Sequence, residues 1–372
     1  MKIITVLGAR PQFVKAATIS RAIQRHNKEV DSNDRIEEVI VHTGQHFDAN
    51  MSQVFFDQLD VPRPNYNLGV ANLTHGAMTG KMLESIEKLL LKESPDWMLV
   101  YGDTNSTLAG ALSAIKLQTP IVHVEAGLRS YNPSMPEEIN RILTDRISTI
   151  LFCPTQNAVE NLQSEGFPYP VPGHYKQIIS NVGDVMFDAV LYYQNQARQD
   201  VSLESWCVEE KEYVLCTLHR QENTDHPARL EGILSALREI GNDSKVLLPL
   251  HPRTRKMLSE QDKLNLLDGI EVLDPIPYLE MQRLQMSANL ILTDSGGMQK
   301  EAFFHGVPCI TLRDETEWVE TVDLGWNHVV GAEAEKIIQA RNTLRNPPVT
   351  KSMPYGDGSA ANKIISSLMN AL

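Results

Sequence analysis

Short apolar runs rich in Val and Ile alternate along this chain with longer amphipathic stretches, and that alternation constrains the fold more than any other feature. In the first half the runs are Ile3–Leu7, Glu38–Thr43, Trp97–Tyr101, Ile121–Val124, Ile150–Cys153 and Ile178–Val182. In the second half they are Tyr213–Thr217, Val246–Leu250, Ile270–Leu273, Leu290–Thr293 and Cys309–Leu312. Short strands with little polar alternation are buried on both faces, as in a parallel sheet. Helical patterns between them predict right-handed βαβ crossovers. The array also restarts. The chain turns loop-like around Gly166–Gly173, with Pro168, Pro170 and Pro172, and a new α/β run begins after Gly183-Asp184. A chain of 372 residues is too long for one ordinary core. The expected fold is therefore α/β: two doubly wound Rossmann-like domains, at 1–175 and 176–359, with the active site in the cleft between them. Open α/β sheets bind ligands beyond the carboxyl ends of their strands, and nearly every unusual polar cluster here falls at such an end.

Charge narrows the partners. Lys+Arg is 34 and Asp+Glu 47, a net charge of -13, which argues against nucleic acid and against an anionic membrane surface. The cysteines Cys153, Cys207, Cys216 and Cys309 form no C-x-x-C pair, and three of them lie in apolar runs. Buried thiols in a reducing compartment fit this better than disulfides or zinc. The opening MKIITVLGARPQF lacks the long apolar core and small-residue cleavage site of a signal peptide, and no stretch has transmembrane length. A cytoplasmic protein is expected.

The stretch from Asn289 to Glu301, NLILTDSGGMQKE, reads as strand, glycine turn and helix start. Such a turn presents backbone N–H groups at the positive end of a helix, where a phosphate sits well, or it is only a connector. Ser295 can cap the helix, Gly296 and Gly297 allow close backbone approach, and Glu301 lies about two turns in, within reach of a sugar hydroxyl. After the first strand come Arg10 and Lys15, cations placed for a diphosphate or a sugar carboxylate. G-x-G-x-x-G is absent, which gives nicotinamide chemistry little support. Gln45 and His46 follow the second run. Asp103 follows the third and is either a site residue or a helix N-cap. Glu125 precedes a glycine turn. Glu137 and Glu138 follow Pro136, where they suit either chemistry or the helix dipole, with Arg141 one turn on. His219 and Arg220 open a polar run in the second half, and His251 and Arg253 follow the next strand. There is no G-x-S-x-G elbow, no H-E-x-x-H and no compact metal-binding spacing. General acid–base chemistry on a nucleotide-linked substrate remains.

In order, GARPQFVK, HTGQHFD, YGDTNSTLAGAL, HVEAGLRS, MPEEINR, LHRQEN, HPRT and DSGGMQKEA span most of the chain. Together they resemble the non-hydrolysing UDP-N-acetylglucosamine 2-epimerases. Each motif alone is unspecific; the ordered set is not. The resemblance implies the glycosyltransferase-B architecture, a final helix at 360–372 crossing back onto the first domain, and a homodimer. It implies a UDP-sugar substrate and no redox cofactor. It also implies a reaction in which a base removes the C2 proton and UDP leaves C1, giving a 2-acetamidoglucal to which UDP re-adds with protonation on the opposite face of C2. By motif, Asp103, Glu125, Glu137 and His219 match the catalytic set. Asp103 and Glu137 would handle the C2 protons, Glu125 would position or tune them, and His219 would assist departure of UDP. Arg10 and Lys15 resemble substrate and diphosphate contacts; Ser295, Gly296 and Gly297 the UDP turn; Glu301 the ribose contact. Gln45, His46, Arg141, Arg220 and His251 fall in the matched motifs and join the expected substrate-binding set.

Two departures bear on the substrate. Many members open G-T-R-P-E, whereas this chain has Gly8-Ala9-Arg10-Pro11-Gln12. Its wording is closer to the branch acting on UDP-2,3-diacetamido-2,3-dideoxy-glucuronate in surface-polysaccharide synthesis, and Gln12 in place of Glu would remove a like charge from a substrate carboxylate. Members activated by a second UDP-N-acetylglucosamine often carry an Arg-Gln pair in the region that here reads Leu73-Thr74-His75-Gly76-Ala77-Met78. Competing readings are a UDP-sugar glycosyltransferase of the same architecture, a hydrolysing epimerase that releases UDP, and a non-catalytic nucleotide-sugar sensor.

Overall fold

The computed structural model describes residues 1–45, 62–173, 176–250, 252–260, 262–344 and 352–371. The chain divides into two compact units, Met1–Ala189 with Met353–Leu372, and Val190–Ser352. The first unit is built on strands β1 (Lys2–Leu7), β2 (Glu37–His42), β3 (Tyr66–Asn67), β4 (Trp97–Tyr101), β5 (Ile121–Val124), β6 (Ile150–Cys153) and β7 (Ile178–Asn181). They form one sheet in the order β3-β2-β1-β4-β5-β6-β7, every pairing parallel. The second unit carries β8 (Tyr213–Thr217), β9 (Lys245–Pro249), β10 (Glu271–Leu273), β11 (Leu290–Thr293), β12 (Cys309–Thr311) and β13 (Asn327–Val329). Its order is β10-β9-β8-β11-β12-β13, again all parallel. Both are doubly wound: the order runs outward one way from β1 or β8 and the other way from β4 or β11, which creates a switch point in each sheet. This is the expected α/β class, with two doubly wound parallel sheets.

The apolar runs are apolar because both faces of these sheets are covered. In β8, Val214 and Cys216 enter one core cluster with Leu234 and Leu292, while Tyr213 and Leu215 enter another with Leu284 and Ile291. All five residues of β4 are buried. Cys153, Cys216 and Cys309 are buried free thiols, as expected, and Cys207 is exposed and also free.

The boundary read at residue 175 needs correction. β7 pairs with β6, from Ile150↔Ile178 to Cys153↔Asn181, so it completes the first sheet, and the first unit extends to Ala189. The same unit receives the helix Ala360–Asn370, which lies against the helix Arg10–Glu29. Ser359 does not cap this helix with its side chain. Asp188 does so from afar: its carboxylate accepts from Ala360 N at 3.1 Å and Ala361 N at 2.8 Å. Burial pushes its pKa up to about 6. Among the described residues, no helix is long and apolar enough to cross a membrane.

Candidate active site

The turns after β1 and β4 meet at the switch point of the first sheet. Gly8 follows β1, and a Cβ there would lie 1.9 Å from Ser106 Oγ and 2.5 Å from Thr43 Oγ1, so only glycine fits. Gln12 ties the two turns together. Its Oε1 accepts from Gly8 N (2.8 Å) and Ala9 N (2.9 Å), and its Nε2 donates to Tyr101 O (2.8 Å), Thr104 Oγ1 and Thr107 Oγ1 (both 3.0 Å). It is buried and its amide is fully used. The expectation that Gln12 faces a substrate carboxylate is therefore corrected: this residue braces the scaffold. Arg10, half-buried, begins the helix that follows.

Asp103 sits just beyond β4. The N-cap of the helix Asn105–Lys116 is Thr104, whose side chain accepts from Thr107 N, so the alternative reading of Asp103 as the cap does not hold. Its carboxylate instead accepts from Arg141 Nη2 at 2.5 Å. Arg141 also donates from Nη1 to Glu138 Oε2 at 3.0 Å. Glu138 in turn accepts from Ser130 N, Ser130 Oγ and Tyr131 N. The two adjacent glutamates of the first turn of the helix Pro136–Ile147 differ in their surroundings. Glu138 is buried and holds a loop and Arg141; Glu137 is half-exposed, with no hydrogen bond or ion pair among the described residues. Burial raises the Asp103 pKa, opposed by Arg141, reinforced by Glu125 and Glu137, and opposed again by Lys15.

Glu125 closes β5 in the left-handed region, at φ 71, a strained position for a residue with a side chain. Its Oε2 meets Lys15 Nζ at 2.7 Å, and both side chains are buried. Lys15 is thus committed to Glu125 rather than standing free at the strand end. A buried chain supports this floor. His123 bridges Gly102 O (Nε2, 2.7 Å) and Asp145 Oδ1 (Nδ1, 2.7 Å), and Asp145 Oδ2 accepts from Arg129 Nη1 at 2.7 Å. Gln45 is spent on structure as well, its Oε1 accepting from Ser106 N (3.1 Å) and Ser106 Oγ (2.7 Å).

In the second unit the turns after β8 and β11 meet at the equivalent switch point. Ser295 caps the helix Gly296–Phe304, its side chain accepting from Met298 N at 3.5 Å. Gly296 has no room for a Cβ, which would fall 2.4 Å from Glu317 Oε1. Glu301 Oε2 accepts from Gln282 Nε2 (3.0 Å) and Gln285 Nε2 (2.8 Å), and Gln282 Oε1 is bonded to His305 Nε2 at 2.8 Å. Burial pushes the His305 pKa down to about 3, so it donates as a neutral ring. His219 has a side chain 55% exposed, with Nδ1 3.1 Å from Asp294 Oδ1. Arg220 follows it, half-buried.

His46, His251 and the Arg253 side chain lie outside the described residues. Three of the supports that escaped the sequence reading are Gln12 as a brace, the Gln282–Gln285–His305 group behind Glu301, and Asp294 behind His219. Only Asp294 left a signal, as a lone carboxylate between an apolar strand and Ser-Gly-Gly. No group of three or more His, Cys, Asp or Glu that could hold a metal exists among the described residues.

The model of the UDP-N-acetylglucosamine 2-epimerase family matches residues 28–369. The chain belongs to that family of isomerases. It is 52% identical over 366 residues to the UDP-2,3-diacetamido-2,3-dideoxy-D-glucuronate 2-epimerase of Pseudomonas aeruginosa, covering 98% of each chain. Among solved structures it resembles the Methanocaldococcus jannaschii UDP-GlcNAc 2-epimerase in complex with UDP-GlcNAc and UDP, with TM-score 0.89, 43% identity and full coverage of both chains (100% and 100%). It also resembles the Neisseria meningitidis UDP-GlcNAc 2-epimerase bound to UDP-GlcNAc, with TM-score 0.84, 30% identity and the same full coverage (100% and 100%). The first unit gathers carboxylates with opposed environments, and the second unit gathers helix-end amides and a histidine.

Proposed function

We propose that this epimerase inverts C2 of UDP-2,3-diacetamido-2,3-dideoxy-glucuronate without net hydrolysis. The observation that carries the chemistry is the carboxylate cluster at the ends of β4 and β5. Asp103 has a raised pKa and is oriented by Arg141, and Glu137 stands beside it with no hydrogen bond or ion pair among the described residues. A carboxylate with a raised pKa is suited to move protons near neutrality. One of the pair takes the C2 proton as the C1–O bond breaks and its electron pair leaves with UDP. The other protonates the opposite face of C2 as UDP re-adds to C1. The Lys15–Glu125 pair tunes Asp103, His219 faces the departing diphosphate, the Ser295-Gly296-Gly297 turn holds that diphosphate, Arg10 meets it, and Glu301 takes the ribose hydroxyls.

The substrate assignment rests on the 52% identity to the P. aeruginosa enzyme. UDP-N-acetylglucosamine is the second reading, favoured by the 43% identical M. jannaschii complex. Steady-state kinetics on both nucleotide sugars separates them. The diacetamido-glucuronate is expected to have the higher kcat/KM, and the reverse ranking moves the assignment to UDP-N-acetylglucosamine. Accumulation of free UDP in either assay would mark a hydrolysing enzyme instead.

The protein is proposed to act as a cytoplasmic homodimer supplying surface-polysaccharide synthesis. The helix Pro136–Ile147 turns Glu138, Arg141 and Asp145 inward and leaves Ile139, Ile142 and Leu143 exposed at i, i+3 and i+4. Such an apolar stripe suits the same stripe on a second copy about a two-fold axis. Ile142→Glu should convert a dimer to a monomer in light scattering; a wild-type monomer would remove the proposal.

A further inference from the structure

Asp294 is fully buried between the turns that follow β8 and β11, and two backbone N–H groups and one side-chain amide donate to its carboxylate. His219 N lies 3.2 Å from both oxygens, and Arg220 N lies 3.1 Å from Oδ2. Asn223 Nδ2 donates to Oδ2 at 3.2 Å. The orientation of that amide is fixed, because Arg229 Nε donates to Asn223 Oδ1 at 2.9 Å and Asn223 Nδ2 also reaches Leu312 O at 2.9 Å. Three donors leave Asp294 no reason to carry a proton. The fourth neighbour, His219 Nδ1 at 3.1 Å from Oδ1, must then be a donor too.

We propose that Asp294 is the positioning residue of His219: its buried carboxylate fixes the proton on Nδ1 and leaves Nε2, on the exposed side of the ring, as the nitrogen that meets the diphosphate. The inference rests on the reading of His219 as the group facing departing UDP. When the C1–O bond breaks, the electron pair moves to a β-phosphate oxygen. A ring protonated at Nε2 donates a hydrogen bond to that oxygen, and Asp294 balances its positive charge. Asp294 itself transfers no proton. A buried aspartate orients a catalytic histidine in this way in serine proteases, where its loss puts the ring in the wrong tautomer. The three other donors to Asp294 also tie the turn after β8 to the turn after β11, and Asn223 carries the link on to Leu312 beyond β12, so a merely structural hub is the competing explanation.

The test uses the full chain with UDP-2,3-diacetamido-2,3-dideoxy-glucuronate and three variants: Asp294→Asn, His219→Ala and the double. Asp294→Asn should lower kcat by about a hundredfold with UDP affinity unchanged. In the His219→Ala background the same change should cost nothing further, because its effect passes through the ring. A loss that adds in full in the double variant makes Asp294 a hub only and overturns the proposal. Nitrogen-15 NMR of histidine-labelled wild-type protein, with His219 identified by its absence from His219→Ala, needs no Asp294 variant. A protonated Nδ1 is expected, and a proton-free Nδ1 refutes the inference even if Asp294→Asn fails to fold. Full turnover by His219→Ala would overturn the reading of His219 and this inference with it. An impaired His219→Ala beside a normal Asp294→Asn would overturn only the inference.

Discussion

Asp103 and Asp294 occupy matching places in two differently used sheets. Each follows the strand across the switch point, β4 in the first unit and β11 in the second, and each precedes a helix. Their environments diverge. Asp103 meets one guanidinium, with Glu125 and Glu137 near enough to repel it, and its pKa is raised. Asp294 meets backbone and side-chain donors on all sides and its pKa is lowered; burial alone would raise it, but His219, Arg220 N and Asn223 together outweigh that. The same turn thus yields one carboxylate whose neutral form is favoured and one whose anion is favoured. What decides is the supply of N–H donors, not depth of burial.

The largest expected effect tests the reactive side of this contrast. Asp103→Asn should cut turnover by roughly a hundredfold or more, as for loss of a general acid–base group, while UDP still binds in calorimetry. Glu137→Gln should behave alike. Near-normal rates in either would remove that residue from the C2 chemistry.

Stability should separate the two aspartates in the opposite sense. A raised folded pKa means that ionised Asp103 costs stability at neutral pH, a cost that disappears as pH falls through the raised value. Asp103→Asn should therefore not lower Tm at pH 7. Asp294, with its folded pKa depressed, contributes stability that is complete above its ordinary value of 3.8 and is lost as pH falls through the lower folded one. Asp294→Asn should cost about 1.5–3 kcal/mol at pH 7, in the range for hydrogen bonds to a charged group. Equal Tm shifts in the two variants would break the comparison.

Smaller effects test the braces. Gln12→Glu should lower stability by about 1–3 kcal/mol, because a carboxylate cannot donate to Tyr101 O, and should leave the preference between the two UDP sugars unchanged. A switch in substrate preference would return Gln12 to the substrate. Ser295→Ala should weaken UDP binding with little change in kcat, and cost about 1 kcal/mol for the lost cap. Unchanged UDP affinity would argue that the glycine turn is only a connector.

The sequence showed most of the sheet and less of the site. Trp97–Tyr101 and Tyr213–Thr217 were legible residue for residue, because a strand buried on both faces reads as a nearly continuous apolar run. β3 and β13 were not, being two and three residues long and each containing Asn. Candidate site residues at strand ends, such as Asp103, Glu125, His219 and Ser295, stood out as polar groups after apolar runs. Their partners did not. Arg141 and Asp103 were each singled out, yet nothing in a linear pattern says that one binds the other across 38 residues. Gln12 was misread for the same reason: the direction of its side chain is set by Tyr101, Thr104 and Thr107, which the fold alone brings near it.

The most direct test is deuterium incorporation at C2, followed by proton NMR in D₂O with UDP-2,3-diacetamido-2,3-dideoxy-glucuronate and no added cofactor, for wild type beside Asp103→Asn. The account predicts that wild type yields both C2 epimers carrying deuterium at C2 without net UDP release, and that Asp103→Asn exchanges at about one hundredth of that rate or less. Wild-type epimerisation without deuterium at C2, or undiminished exchange by Asp103→Asn, would contradict it.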